Sequence, residues 1–231
     1  MTLVLLVRHA VTDVTGKRLS GSIPGIHLSD EGLAQAKRLG ERTASLRVTE
    51  VYSSPLERCV ETAQQVAAPR RLEIKVMPDV EEVGYGRWAG RPIAQLTKTK
   101  LWRRIQLLPS SVEFPDGETL IGAQRRVTTA LDVIARRAPR GVIVVVSHAD
   151  IIRLALAHYA GVHIDLFQRF TVSPASVSAL VLGDRIPRIL RINDTGTLAD
   201  LAGRERPLGA PGRARAGDAR RPEGRANREG S

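Results

Sequence analysis

Tyr52-Ser53-Ser54-Pro55-Leu56-Glu57-Arg58-Cys59-Val60-Glu61-Thr62-Ala63 is the stretch on which the fold turns. The residues before it, Val48–Tyr52, alternate as a short strand does. Ser54-Pro55-Leu56-Glu57 then has the form of a capping box with proline at the first helical position, which predicts a helix from Ser54 to Ala67. A strand running almost directly into a capped helix is half of a βαβ unit. The same alternation recurs outward in both directions. Leu3–Val7, Leu72–Met77 and Val142–Val146 read as further strands, and Ser29–Leu46, Thr119–Ala138 and Asp150–Ala160 as helices. Asp30 and Glu31 fall in a first helical turn, where the helix dipole favours acids. Ser176–Leu182 and Ile186–Ile192, separated by Gly183-Asp184-Arg185, form a closing hairpin. The expected architecture is α/β: three αβα layers, doubly wound, around a mostly parallel sheet with a C-terminal hairpin edge.

The length of 231 residues suits one well-buried domain. Composition breaks near Ala202. Residues 203–231 hold eight Arg and four acids with Leu208 as the only large aliphatic, too little apolar surface to offset ordering entropy. The expected organisation is a domain over 1–202 and a disordered Arg/Gly/Pro-rich tail over 203–231. A single cysteine rules out an intramolecular disulfide framework. No apolar run approaches a membrane span, and Leu3–Val7 stops at Arg8, short of a signal-peptide core. A soluble cytoplasmic protein is expected. The net charge of +11 invites nucleic acid, but the basic residues include only five Lys and the aromatics number eight, few for base stacking. The reading is no nucleic acid and no membrane, with attraction to small anions compatible with the charge.

In open α/β sheets ligands bind beyond the carboxyl ends of strands, at helix amino termini that favour anions. Here the first strand ends in Arg8-His9, the second runs into Ser53-Ser54 with Arg58 in the next helical turn, and the fourth ends in Ser147-His148. Two His and two Arg on one sheet edge make an anion site, and phosphate fits it best. Arg forks bind phosphate oxygens in pairs, and a neutral imidazole can attack phosphorus. Uncatalysed phosphomonoester hydrolysis is so slow that enzymes supply up to ~10²¹-fold, so nucleophile, cations and a proton donor must act together. Glu81 and Glu82, preceding Gly84-Tyr85-Gly86-Arg87-Trp88-Ala89-Gly90, are equally placed to be that donor. A carboxyl beside a bound dianion has its pKa raised.

These residues resemble the histidine phosphatase (phosphoglycerate mutase-like) superfamily. Leu6-Val7-Arg8-His9-Ala10-Val11-Thr12 is similar to its Arg-His-Gly opening, and Ser53 to Ala63 to its S-S-x-x-x-R-x-x-x-T-A signature. Glu82 aligns with the donor in E-x-x-x-G-x-W-x-G, and Ser147-His148-Ala149-Asp150 with the second catalytic His. The resemblance covers residues 1 to about 190. It implies His9 as the phosphorylated nucleophile, with Arg8, Arg58 and His148 as the phosphate clamp. Glu82 becomes acid and then base, Thr12, Thr15 and Ala149 are further phosphate contacts, and no metal or organic cofactor is implied. The chain departs from the pattern at Ala10 for Gly, Val11 for a polar residue, Thr15 for Asn and Ala89 for Glu. Those changes bear on substrate identity and on whether Thr12 and Thr15 contact phosphate or only cap a turn.

Other phosphate chemistries lack parts. There is no G-x-x-x-x-G-K-[ST] loop, Cys59 is followed six residues on by Gln65 rather than Arg, and G-x-S-x-G is missing. Cys59 is expected to pack within its helix. Gly84-x-Gly86-x-x-Ala89 follows no strand and opens no helix, so it carries no dinucleotide reading. His148-x-Asp150 lacks further ligands for a metal site, and Asp150 fits a helix first turn. The connection of about 40 residues between the third strand and Thr119 should shape a pocket or lid. Trp88 and Trp102 lie in it, Trp102 read as packing the insertion. His27, His158 and His163 are expected to be structural or loop residues. The expected function is a phosphatase acting on a small phosphorylated substrate. A phosphoglycerate mutase using the same residues and a non-catalytic phosphate binder are the alternatives.

Overall fold

The computed structural model describes residues 1–201, so the tail expected over 203–231 lies outside the described residues. Six strands form one sheet in the order β3-β2-β4-β1-β5-β6: β1 Thr2–Arg8, β2 Glu50–Ser53, β3 Ile74–Val76, β4 Val142–Ser147, β5 Val177–Leu182 and β6 Arg188–Asp194. β1, β2, β3 and β4 run parallel, while β5 pairs antiparallel to β1 and β6 antiparallel to β5. The closing hairpin therefore sits at one edge of a mixed, mostly parallel sheet, and the expected architecture is observed.

The apolar runs of β1 and β4 are continuous because both faces are covered. Leu3, Leu5 and Val7 point to a core shared with Leu39, Cys59, Ala63 and Val66. Val4 and Leu6 point to the opposite core, with Val127, Leu131, Ile151 and Leu154. Helices α1 (Asp30–Arg42) and α2 (Glu57–Ala67) cover the first face. On the second lie two short insertion helices, α3 (Ile93–Leu96) and α4 (Lys100–Leu107), with the long α5 (Leu120–Arg137) and α6 (Ala149–Tyr159). Ser29 and Thr119 cap α1 and α5 by accepting from Gly32 N and Gly122 N. α1 and α2 approach so closely that a Cβ on Gly40 would stand 2.4 Å from the Gln65 carbonyl oxygen.

Several boundaries differ from the sequence reading. The capping box does not form: α2 starts at Glu57, its N-cap is Leu56, and no side chain caps it. The Ser54 hydroxyl is held by a tertiary partner described below, and Pro55 lies in the loop before the helix. α1 stops at Arg42 rather than Leu46, β2 starts at Glu50 rather than Val48, and α6 starts at Ala149 rather than Asp150. β3 contracts to three residues because it is an edge strand bonded only to β2. In the hairpin, β6 begins only at Arg188, leaving Ile186 exposed in the turn. Among the described residues no helix is long and apolar enough to cross a membrane.

Candidate active site

The register of the sheet brings the site together. Arg8 at the end of β1 pairs with Ser147 at the end of β4, and Ser53 at the end of β2 pairs with Val146. The chain leaves all three strands at one edge, and His9 N–H still bonds the Ser147 carbonyl at 2.9 Å. His9 and His148 thus lie ring edge to ring, 5.3 Å apart. Arg58 reaches the same point from the first turn of α2, and a cavity of about 500 Å³ opens over Arg8, His9, Arg58, Glu82 and Ala149.

Each histidine has a defined proton. His9 Nδ1 donates to the Ala10 carbonyl at 2.7 Å, and since a carbonyl only accepts, Nδ1 carries hydrogen and Nε2 keeps its lone pair. The Ala10 amide is in turn fixed to Thr62 Oγ1 at 3.1 Å. Burial, with Arg58 behind it, lowers the His9 pKa to about 3, so the ring is neutral at pH 7. His148 is fully buried with Nε2 2.8 Å from Ser54 Oγ, and Arg58 Nη2 lies 3.5 Å from its Nδ1. Guanidinium only donates, so Nε2 holds the hydrogen toward Ser54 and Nδ1 faces Arg58. Burial, then His9 and the arginines, holds His148 well below its ordinary pKa.

The two arginines are only partly satisfied. Arg8 Nη1 donates to the Val172 carbonyl at 2.7 Å, and Arg58 Nη2 to the Gly21 carbonyl at 2.7 Å. Arg8 Nε, Arg58 Nε and Arg58 Nη1 are buried with no partner. Leaving charged donors buried and unpaired costs several kcal/mol, about 1–3 for each group and more when ionised. Neither arginine has a salt bridge to a carboxylate among the described residues. α6 adds its amino terminus, where the N-cap His148 supplies no side-chain cap.

Glu82, not Glu81, enters the cavity. Its segment is stitched to the sheet by Met77 N–H on the Ser53 carbonyl, 2.8 Å, and Ser147 Oγ on the Val80 carbonyl, 2.6 Å. The Val83 amide donates to Glu82 Oε1 at 3.0 Å, and Oε2 stands 3.9 Å from His148 Nδ1. Burial pushes the Glu82 pKa up to about 8, helped by the Asp150 carboxylate and opposed by Arg58 and Arg8. Asp150 is itself held by Tyr85 OH at 2.8 Å and Arg153 Nη1 at 2.8 Å.

Of the other expected residues, Thr15 lines the cavity and Thr12 does not. Their hydroxyls are 3.0 Å apart and Thr15 Oγ1 accepts from Thr12 N–H at 2.9 Å, so the pair holds the turn. Cys59 is buried as expected, 3.4 Å from His148 Nε2, and burial raises its thiol pKa out of reach of neutral pH. Trp102 does not merely pack the insertion: with Trp88 it faces the cavity. His27 pairs with Glu61 and His163 with Asp165, away from the site. Among the described residues no three His, Cys, Asp or Glu side chains gather as metal ligands. Sequence reasoning missed the supports: Ser54 and Thr62, the Gly21 and Val172 carbonyls, and the Tyr85–Asp150–Arg153 chain. Ser54 and Thr62 carried a signal as polar residues inside the first quoted stretch, and Tyr85 and Asp150 by standing in the loop after Glu82 and beside His148.

A sequence profile of the histidine phosphatase superfamily (branch 1) matches residues 4–195. Phosphoserine phosphatase 1 of Hydrogenobacter thermophilus is 30% identical over 202 residues, covering 87% of this chain and 96% of that protein. The 2,3-bisphosphoglycerate-dependent phosphoglycerate mutase of Thermoplasma acidophilum is 27% identical over 194 residues, covering 83% and 92%. Among solved structures, YhfR of Bacillus stearothermophilus superposes with a TM-score of 0.80 at 21% identity, covering 85% of this chain and 98% of that one. That likeness is one of fold.

Proposed function

The chain belongs to the histidine phosphatase superfamily (branch 1), and from that premise we propose that it hydrolyses small phosphomonoesters through a phosphohistidine on His9. The observation that carries the reading is the set of three unpartnered guanidinium nitrogens, Arg8 Nε, Arg58 Nε and Arg58 Nη1, buried around a neutral imidazole whose Nε2 is free. Charged donors left open beside a nucleophile are donors kept for an anion.

The steps follow from the groups. A phosphoryl dianion binds Arg8, Arg58 and the Ala149 end of α6. His148 stays neutral beside the phosphoryl group, its ring held in place by Ser54. His9 Nε2 attacks phosphorus and the P–O bond to the alcohol breaks as Glu82 gives its proton to the leaving oxygen. The Glu82 carboxylate then takes a proton from water, whose oxygen attacks phosphorus as the N–P bond breaks. Phosphate leaves, and Glu82 is protonated again.

The test is phosphorus NMR of the protein with a phosphomonoester and excess chelator. Accumulating free phosphate is the expected result. Conversion of 3-phosphoglycerate to 2-phosphoglycerate without free phosphate would make it a mutase, and binding of phosphate esters without turnover a binder.

The acid gives a pH signature. Since kcat/KM reports the free enzyme, it should hold across neutral pH, where His9 is neutral above about 3 and Glu82 protonated below about 8. It should fall above pH 8 as Glu82 ionises. Asp150→Asn removes a negative charge that raises the Glu82 pKa and releases the Arg153 cation. Its basic limb should therefore move to lower pH. Substrate ionisation is common to both proteins and cancels in the comparison. An unmoved limb would remove Asp150 from the tuning of Glu82.

A further inference from the structure

The chain has two Trp, three Tyr and three Phe. Five of these eight, Tyr85, Trp88, Trp102, Phe114 and Phe167, line the one cavity that holds His9. The concentration is not an accident of packing the core at large, whose residues are almost all aliphatic. Trp88 and Trp102 lie with ring centroids 6.4 Å apart and planes within 19°, and Phe114 meets Trp88 edge-on at 5.8 Å. Tyr85, Trp88, Phe114 and Phe167 are buried, so the half-buried Trp102, stacked on Trp88, is the face of this aromatic wall that the cavity reaches.

Charge is scarce along that wall. Apart from Arg8, Arg58 and Glu82, the charged residues lining the cavity are Arg18, Asp150 and Arg153. Arg153 is paired with Asp150 at 2.8 Å and donates from Nε to the Phe170 carbonyl at 3.0 Å. Arg18 is exposed and bonds the Gly90 carbonyl at 3.1 Å. A phosphorylated amino or hydroxy acid would bring a carboxylate, with or without an ammonium, to face aromatic rings, the neutral Thr15, Ser20, Gln106 and Gln168, and one exposed cation. Moving such charges out of water with so little ionic pairing is unfavourable.

We propose that the preferred substrate is a phosphomonoester whose alcohol carries a flat, apolar ring, seated against Trp102, which Trp88 backs. The proposal rests on the phosphatase reading and adds the class of leaving group to it. Stacking the ring fixes the ester oxygen over His9 and Glu82, so the wall acts on specificity and leaves the phosphoryl chemistry to the strand ends.

The test compares 2-phenylethyl phosphate with O-phosphoserine and 3-phosphoglycerate. All three are esters of primary alcohols, so leaving-group reactivity does not bias the result. A preference in kcat/KM of roughly 30- to 100-fold for the phenylethyl ester is expected, the ratio that burial of one phenyl ring carries. In Trp102→Ala that ratio should fall about tenfold through KM, and Trp102→Phe should retain most of it. Parity, preference for a phosphorylated acid, or an unchanged ratio in Trp102→Ala would each overturn the proposal. If no ester is hydrolysed, the phosphatase reading fails and binding decides the proposal separately. Trp88 and Trp102 are the chain's two tryptophans, so their fluorescence reports occupancy directly. Tighter binding of 2-phenylethyl phosphate than of phosphoserine supports the aromatic seat, and equal or weaker binding rejects it.

Discussion

His9→Ala is expected to lose turnover by at least about 10⁴-fold, the scale on which removing a covalent nucleophile acts. The remaining groups can still bind a phosphoryl group, because Arg8, Arg58 and His148 keep their own supports on Val172, Gly21 and Ser54. What disappears is the nitrogen lone pair. In the intact protein Nδ1 is engaged by the Ala10 carbonyl, so Nε2 is the only nitrogen of that ring free to form the bond to phosphorus. The fold should survive, since the ring is anchored by one backbone bond and an edge contact to His148. Phosphate release, circular dichroism and intact mass after a rapid alkaline quench would be measured together. The intact protein should carry one added phosphoryl group during turnover, and His9→Ala none. Retained activity with an unchanged circular dichroism spectrum would remove the phosphohistidine mechanism altogether.

The strands and the doubly wound order were legible because apolar runs buried on both faces leave a strong sequence signal. So was the gathering of Arg8, His9, Arg58 and His148, since strand ends and helix starts converge in such a sheet. Ser54 was misread because Ser-x-x-Glu looks the same in a helix cap and in a loop whose serine has a distant partner. Only the register of β2 beside β4 places that hydroxyl on His148. Glu81 and Glu82 could not be separated by composition. Glu81 adopts an extended backbone, with φ −65° and ψ 157°, and successive residues there point to opposite sides. Glu82 therefore turns into the cavity while the Glu81 carbonyl accepts from Arg126. Trp102 was read as packing because nothing local shows that α4 folds back over Trp88. These failures share one cause: each depends on a contact between segments far apart in the chain.

Arg58 sets activity against stability, and Arg58→Met separates the two. Its guanidinium is 1% exposed and is among the largest fully buried side chains, yet two of its three nitrogens have no partner. Replacing buried charge by an apolar side chain of similar length is often neutral or stabilising by about 1–4 kcal/mol. For a chain of this size that corresponds to roughly 2–4 °C in Tm per kcal/mol. Arg58→Met should therefore melt at or above the temperature of the unsubstituted protein in phosphate-free buffer. Its turnover should fall by about 10³-fold, as when a charge-stabilising donor is removed from a dry site. Inorganic phosphate should raise the Tm of the unsubstituted protein more than that of the variant. At 100 times its Kd, a ligand stabilises the state that binds it by about 2.7 kcal/mol, and only the protein with Arg58 has the full clamp. A variant that melts lower without phosphate would mean the guanidinium holds the empty site together through Gly21 and Glu82. The unpartnered nitrogens would then no longer identify an anion site, because their burial would be explained by the fold alone.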